Sequence, residues 1–245
     1  MIMMETVTES GAEKVILPFE RTDEIYEVEK ITYLPPKPVY GFIKRTVDII
    51  ASFVGIIILL IPMLIAYICV AVTSKGNPIY RQERLGLGGK RVYIYKFRTM
   101  YENAEEDGIR WSLGEDDERL TAVGRVLRRI KFDEIPQLFN CLTGDLSLVG
   151  PRPEREVFYK CFEAYIPGFS QRIMVKPGIT GLAQITGLFL RPEEKIKYDI
   201  EYIKKRSLLL DAKILLATAA VVMRGDGQNV FWQRQMLILI LVYAT

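Results

Sequence analysis

The sequence predicts a mostly helical α/β domain held to a membrane by one apolar helix. Three observations carry this. Residues Ile49 to Val72 are 24 consecutive uncharged positions, mostly Ile, Leu, Val and Ala. A core helix seldom runs so far without polarity, so a membrane segment is the default reading. Downstream, helix-period segments enclose a strand-like alternation at Lys90 to Thr99. The charge is also divided. Residues 1–30 hold eight acids and three bases, a net of −5 against +3 for the whole chain, so the remainder carries +8. A basic body suits anionic partners: nucleic acid, phosphorylated substrates or an acidic membrane surface.

Along the chain, residues 1–35 are acidic and without steady periodicity, and read as a weakly ordered arm. Pro35, Pro36 and Pro38 make an extended linker, so the arm and linker occupy 1–39. The membrane segment with its basic flanks takes 40–75. Pro62 should kink or break it. Ile49 to Ile61 would reach only about 20 Å, short of a ~30 Å hydrocarbon core. Lys37, Lys44 and Arg45 precede the segment, and Lys75, Arg81 and Arg84 follow it. Basic residues at both ends argue for a hairpin that re-enters on one face, whereas a kinked span remains the ordinary alternative.

Residues 76–227 follow as an α/β body. Lys90 to Thr99 is a strand, 101–118 an acidic loop or short helix, Leu120 to Ile130 a helix and Asp133 to Leu142 another. Residues 143–153 form a Gly/Pro loop. Glu154 to Tyr165 is amphipathic, with Val157, Phe158, Cys161, Phe162 and Tyr165 on one face. That face suits a core, and an interfacial helix beside the membrane is its rival. Lys176 to Leu188 is a Gly-rich loop, and Glu193 to Met223 is helical. Residues 228–245 form a tail whose apolar stretch, Met236 to Ala244, is too short to span.

Two absences narrow the chemistry. There is no His, which removes the commonest general base and any His-ligated metal. Cys69, Cys141 and Cys161 show no metal-ligand spacing and no disulfide pattern, which fits a reducing compartment.

Four segments could carry chemistry. In Arg128–Arg129–Ile130–Lys131–Phe132–Asp133–Glu134–Ile135–Pro136, the proline marks a helix's first turn, placing Asp133 near its N-cap. Most Asp residues there are only caps. Here an adjacent carboxylate raises the pKa, while the helix end and nearby cations favour ionisation. An ionised Asp can attack phosphorus, and its neighbour Glu134 can hold a divalent cation. In Gly150–Pro151–Arg152–Pro153, two prolines pre-place a guanidinium suited to phosphate, or simply make a rigid turn with a salt bridge. Lys176–Pro177–Gly178–Ile179–Thr180–Gly181 offers glycines and a charge to an anion, although most Pro-Gly pairs only turn the chain. Along Tyr95–Lys96–Phe97–Arg98–Thr99, one strand face could present Lys96 and Arg98 to a phosphate or nucleotide. Usually such a face is merely solvated.

These segments, in this order behind a proline-interrupted apolar run, resemble the bacterial sugar transferase family. Its members are the monotopic phosphoglycosyl transferases that start capsule, O-antigen and glycoprotein glycan assembly. The resemblance covers about Tyr40 to Gly227. It rests on FIKRTVDII at 42–50, PIYRQERLG at 78–86, YKFRTM at 95–100, DEIPQLFN at 133–140, GDLSLVGPRP at 144–153, KPGITGLAQI at 176–185 and LLLDAKILL at 208–216. It implies a re-entrant helix-break-helix in the bacterial inner membrane, with a compact catalytic domain on the cytoplasmic side. It also implies that Asp133 is the nucleophile toward a UDP-sugar. UMP would leave, and undecaprenyl phosphate would take the phosphosugar from the enzyme. Glu134 would be the Mg²⁺ ligand, Arg128 and Arg152 phosphate or nucleotide contacts, and Lys96 or Arg98 a further basic contact. Lys176 is a candidate substrate contact as well. Many members break the membrane helix at Ser-Pro, where this chain has Ile61–Pro62. With about 40 residues before the anchor, it looks like the small form, and the tail after Gly227 matches no part of the pattern.

Membrane lipids are implied partners, with downstream glycosyltransferases and a second copy of the chain as further candidates. A catalytically idle scaffold that binds polyprenyl phosphates or partner enzymes is the competing reading. It predicts no UMP release and no effect of Asp133→Asn. A nucleic-acid binder is disfavoured, because the cations lie in separate phosphate-site-like motifs rather than one stripe. Which sugar is transferred must be decided in loops such as 101–118 and 186–195.

Overall fold

The computed structural model describes residues 2–8, 11–17, 25–111, 117–187 and 190–224, with side chains described within these from Val15 to Val222. The helices are α1 (Pro38–Thr73), α2 (Ala122–Arg129), α3 (Gln137–Thr143), α4 (Glu156–Glu163), α5 (Leu182–Thr186), α6 (Pro192–Lys205) and α7 (Leu208–Arg224). Strands β1 (Ile2–Thr8) and β2 (Gly11–Leu17) pair antiparallel, and β2 pairs parallel with β5 (Ile109–Arg110). Strands β3 (Ile79–Leu85) and β4 (Arg91–Phe97) form an antiparallel pair, with Tyr80 opposite Lys96. Strands β6 (Ser147–Val149) and β7 (Gly178–Thr180) form a short parallel pair. The predicted mostly helical α/β class is the one observed.

The main core is built around α4. Val157, Phe158, Cys161, Phe162 and Tyr165 are all buried, among Phe169, Leu182, Ile196, Ile203 and Ile214. Trp111 meets Phe158 and Phe162 edge-on at 4.9 and 5.3 Å between ring centroids. The interfacial reading of this helix is therefore corrected. Its apolar face is consumed by the core, with Trp111 and Phe169 against it, leaving none of that stripe for lipid.

Helix α1 is the one helix among the described residues long and apolar enough to cross a membrane. The break expected at Pro62 is absent, and helical backbone continues through it. A proline deletes one helical hydrogen bond but need not end a helix whose two sides are held independently. Here the second half is held by Ala66 and Val70, packed with Met63 against Phe97, Leu127 and Phe132. The first half is held by Asp48, which accepts from Leu148 N at 3.0 Å, and by Arg45, which donates to Leu142 O at 2.8 Å. The opposite face leaves Phe42, Phe53, Ile57, Ile61, Leu64 and Ile68 exposed.

Three other expectations change. Residues 1–35 are not a featureless arm: β1 and β2 lie there, and Val15, Ile16 and Leu17 are buried. The strand that pairs with β2 beside these residues lies some 90 positions away, so local periodicity could not reveal their burial. Short strands β6 and β7 and helix α5 stand where Gly-rich loops were expected. The predicted 193–223 helix is two, because Ser207 Oγ accepts from Leu210 N at 3.2 Å and starts α7 afresh. The tail 228–245 and its apolar stretch lie outside the described residues.

Candidate active site

The Asp-Glu pair is placed by aromatic packing. Phe132 stacks on Phe97 of β4, with centroids 6.1 Å apart and planes 8° from parallel. Lys131 adopts a left-handed φ of 56°, turning the chain out of α2 and into a 3₁₀ turn at Phe132–Glu134. Asp133 is therefore not the N-cap of α3. That position belongs to Pro136, and no side chain caps the helix. The proline falls one residue before the helix rather than inside its first turn, which shifts Asp133 back into the 3₁₀ turn.

The two carboxylates have opposite surroundings. Glu134 is clamped: Lys96 Nζ lies 2.7 Å from Oε1, Arg152 Nη1 lies 3.1 Å from Oε2, and Arg152 Nη2 also reaches Oε1. Burial alone would raise its pKa, but Arg152 and Lys96 more than reverse this and hold it well below the usual carboxylate range. Asp133 is 6% exposed, and no hydrogen bond or ion pair holds its carboxylate among the described residues. Burial first, then Glu134 beside it, push its pKa up to about 6, against the pull of Lys96, Arg128 and Arg152. At neutral pH it is an ionised, unengaged carboxylate among cations. Such a group is available to attack an electrophile carrying negative oxygens.

The cations are themselves positioned. Arg128 Nε donates to Thr99 Oγ1 at 3.0 Å. Helix α2 docks so closely there that a Cβ on Gly124 would lie 2.0 Å from Thr99 O. The backbone carbonyl of Arg152 accepts from buried Arg172 at 2.8 Å, and Arg172 pairs with Asp199 at 2.6 Å. Glu154, two residues on, joins Arg84 at 3.0 Å and Lys195 at 2.8 Å. The Pro-Arg-Pro loop thus rests on a buried ionic frame.

Residues 39–225 match the family model described as bacterial sugar transferase. The chain belongs to the bacterial sugar transferase family. It is 38% identical over 211 residues to the UDP-N-acetylgalactosamine-undecaprenyl-phosphate N-acetylgalactosaminephosphotransferase of Aeromonas hydrophila, covering 84% of this chain and 49% of that protein. It is 39% identical over 207 residues to the UDP-glucose:undecaprenyl-phosphate glucose-1-phosphate transferase of Klebsiella pneumoniae (81% and 44% covered). A protein of the same description from Caulobacter vibrioides is 38% identical over 199 residues, with 78% and 74% covered. The chain thus spans about half the length of the first two relatives.

In this bacterial sugar transferase, Asp133, Glu134, Lys96 and Arg152 converge, with Arg128 beside them. Arg98 does not join them. Its guanidinium donates to the carbonyls of Ser74 and Gly76, both at 2.9 Å, and closes the end of α1. Of the two, it is Lys96 that lies at the carboxylate pair. Lys176 lies elsewhere, beside Arg45 and Asp48. The N–H groups of Gly150 and Gly178 near it are already spent on the chain. Gly150 N donates to Thr180 O and Gly178 N to Pro151 O, and a Cβ on Gly178 would lie 2.1 Å from Gly150 N. They let two loops touch. Sequence reasoning missed Arg172, Asp199, Glu154 and Lys195. Each is a charged residue on an element that reads as ordinary, and only their mutual burial marks them.

Proposed function

We propose that this chain moves a hexose-1-phosphate from a UDP-sugar to undecaprenyl phosphate through a covalent intermediate on Asp133. The observation that carries the reading is the asymmetry of the pair: Glu134 held on both oxygens, Asp133 buried and unheld. An Asp133 Oδ bonds to the phosphorus attached to the sugar, and the P–O bond to UMP breaks. The electron pair leaves with UMP, an acceptable leaving group because its phosphate bears the charge. A phosphate oxygen of the lipid then attacks the same phosphorus, the Asp133–phosphorus ester breaks, and the carboxylate is restored. No proton need be removed from either nucleophile, which suits a chain without His. Lys96, Arg128 and Arg152 would balance the charge of the phosphates during both steps.

Mg²⁺ would find one protein carboxylate here, because no cluster of three metal-ligating side chains stands among the described residues. Magnesium takes one or two carboxylates plus phosphate oxygens, and Glu134 Oε2 accepts a single bond, from Arg152. Glu134 would hold it, and the ion would neutralise the diphosphate.

The membrane reading rests on α1. Both of its ends bond to the same body, Arg45 and Asp48 near one and Ser74 near the other. This supports a segment that enters and leaves on the body's side of the bilayer, at the cytoplasmic face of the inner membrane. The soluble nucleotide sugar and the lipid acceptor would then meet one site in turn.

The test is UMP release from a panel of UDP-sugars with Mg²⁺ and undecaprenyl phosphate. Release that needs the lipid and Asp133 supports the proposal and names the sugar. Lipid binding without UMP from any donor would favour the idle scaffold.

A further inference from the structure

A second cationic pocket lies at the start of α1, apart from the carboxylate pair. Its volume is about 240 Å³, and its lining includes Lys37, Lys44, Arg45, Lys176 and Arg206, with Asp48. None of Asp133, Glu134, Arg128 or Arg152 lines it. Arg45 marks its position, bonded to the carbonyls of Cys141 and Leu142 at the C-terminal end of α3. Asp133 precedes the other end of that helix, about 10 Å away along seven residues at ~1.5 Å each.

The cations are not cancelled. Lys44 pairs with Asp211 at 2.8 Å. Lys37 donates to Arg206 O at 2.8 Å, while Arg206 donates to Ile203 O at 2.8 Å and Pro35 O at 2.7 Å. Carbonyls orient these groups without neutralising them. Five cations against the carboxylates of Asp48, Asp211 and Asp145 leave an excess of two positive charges. Lys176, half-buried, makes no hydrogen bond or ion pair among the described residues. Burial and then Arg45 press its pKa down, a cost that an anion in the pocket would relieve.

We infer that this pocket holds the phosphate headgroup of a non-reacting anionic phospholipid. The cavity is below the ~300–1,000 Å³ that encloses a drug-sized molecule, so it suits a headgroup rather than a nucleotide sugar. It lies along the first turns of α1, where Val47, between the lining residues Lys44 and Asp48, is exposed and an acyl chain could lie. A reacting lipid must bring its phosphate to Asp133, so one seated here is not the acceptor. The inference rests on the reading of α1 as membrane-inserted.

The test uses the full chain in mild detergent, with native mass spectrometry counting bound phosphatidylglycerol or phosphatidylcholine, and flotation with neutral vesicles run in parallel. Wild type should retain phosphatidylglycerol at least fivefold over phosphatidylcholine. Lys176→Gln should abolish that preference and Lys176→Arg should restore it. Both variants should float as wild type does, which also shows that they fold and insert. Equal retention of the two lipids by wild type, or an unchanged preference in Lys176→Gln, overturns the pocket while leaving the membrane reading intact. Displacement of the lipid by millimolar inorganic phosphate would make this a free-anion site and overturn the lipid assignment. Failure of wild type to float would remove the membrane reading, and the inference with it.

Discussion

Replacing Asp133 by Asn should stabilise the protein while abolishing turnover. The carboxylate is buried without a hydrogen-bond partner among the described residues, and its pKa rises from the ordinary 3.8 to about 6, chiefly through burial and then Glu134. A carboxylate that holds its proton more tightly folded than unfolded opposes folding once ionised. That cost begins as pH rises through 3.8 and is complete above about 6. At ~1.36 kcal/mol per pH unit between the two values, its ceiling is about 3 kcal/mol. Asn keeps the size and loses the charge. At pH 7.5 in EDTA, the gain should therefore approach ~3 kcal/mol, or roughly 6–12 °C in Tm for a chain of this length. At pH 4 the wild-type side chain is protonated and most of the gain should vanish. The assay is thermal unfolding of the detergent-solubilised chain at both pH values, paired with UMP release. A lower Tm for Asp133→Asn at pH 7.5 would mean that the carboxylate serves the fold. Retained turnover would sink its role as nucleophile.

Three further outcomes are expected. Glu154→Gln strips Arg84 and Lys195 of a shared buried partner and should cost ~3–5 kcal/mol in denaturant unfolding. Burial works to raise the pKa of Glu154, but Lys195 and Arg84 hold it at about 2. Its contribution is thus full above pH 4.5 and fades as pH falls toward 2, where wild type and variant should converge; a pH-independent difference would contradict this. Arg152→Lys cannot grip both oxygens of Glu134, and losing one charge-assisted bond at ~1.5–3 kcal/mol should lower kcat/KM roughly 10- to 100-fold. Unchanged kinetics would show that the fork is dispensable. Cysteines placed at Lys37 and Lys90 should both be labelled only from the cytoplasmic side, and opposite accessibility would mean that α1 spans the bilayer.

The amino-acid sequence by itself determined the pieces with strong local signals. The apolar run of α1, the alternation of β4, the stripe on α4 and the Asp-Glu-x-Pro and Pro-Arg-Pro segments are short-range patterns, and each leaves its mark within about ten residues. Those same segments were enough to reveal the family. What the tertiary structure alone decided depends on groups distant in sequence. Strand β2 meets β5 some 90 positions away, and Arg206, at the break between α6 and α7, reaches back to Pro35. Lys96 and Arg98 are indistinguishable in the sequence, two residues apart on one alternating strand. The tertiary structure separates them, because Lys96 reaches Glu134 from β4, whereas Arg98, just past the end of that strand, meets the end of α1. Asp133 and Glu134 are likewise equivalent as neighbouring acids. Their difference in charge behaviour comes from which of them Lys96 and Arg152 reach, and electrostatics over a few ångströms is set by packing rather than by spacing along the chain.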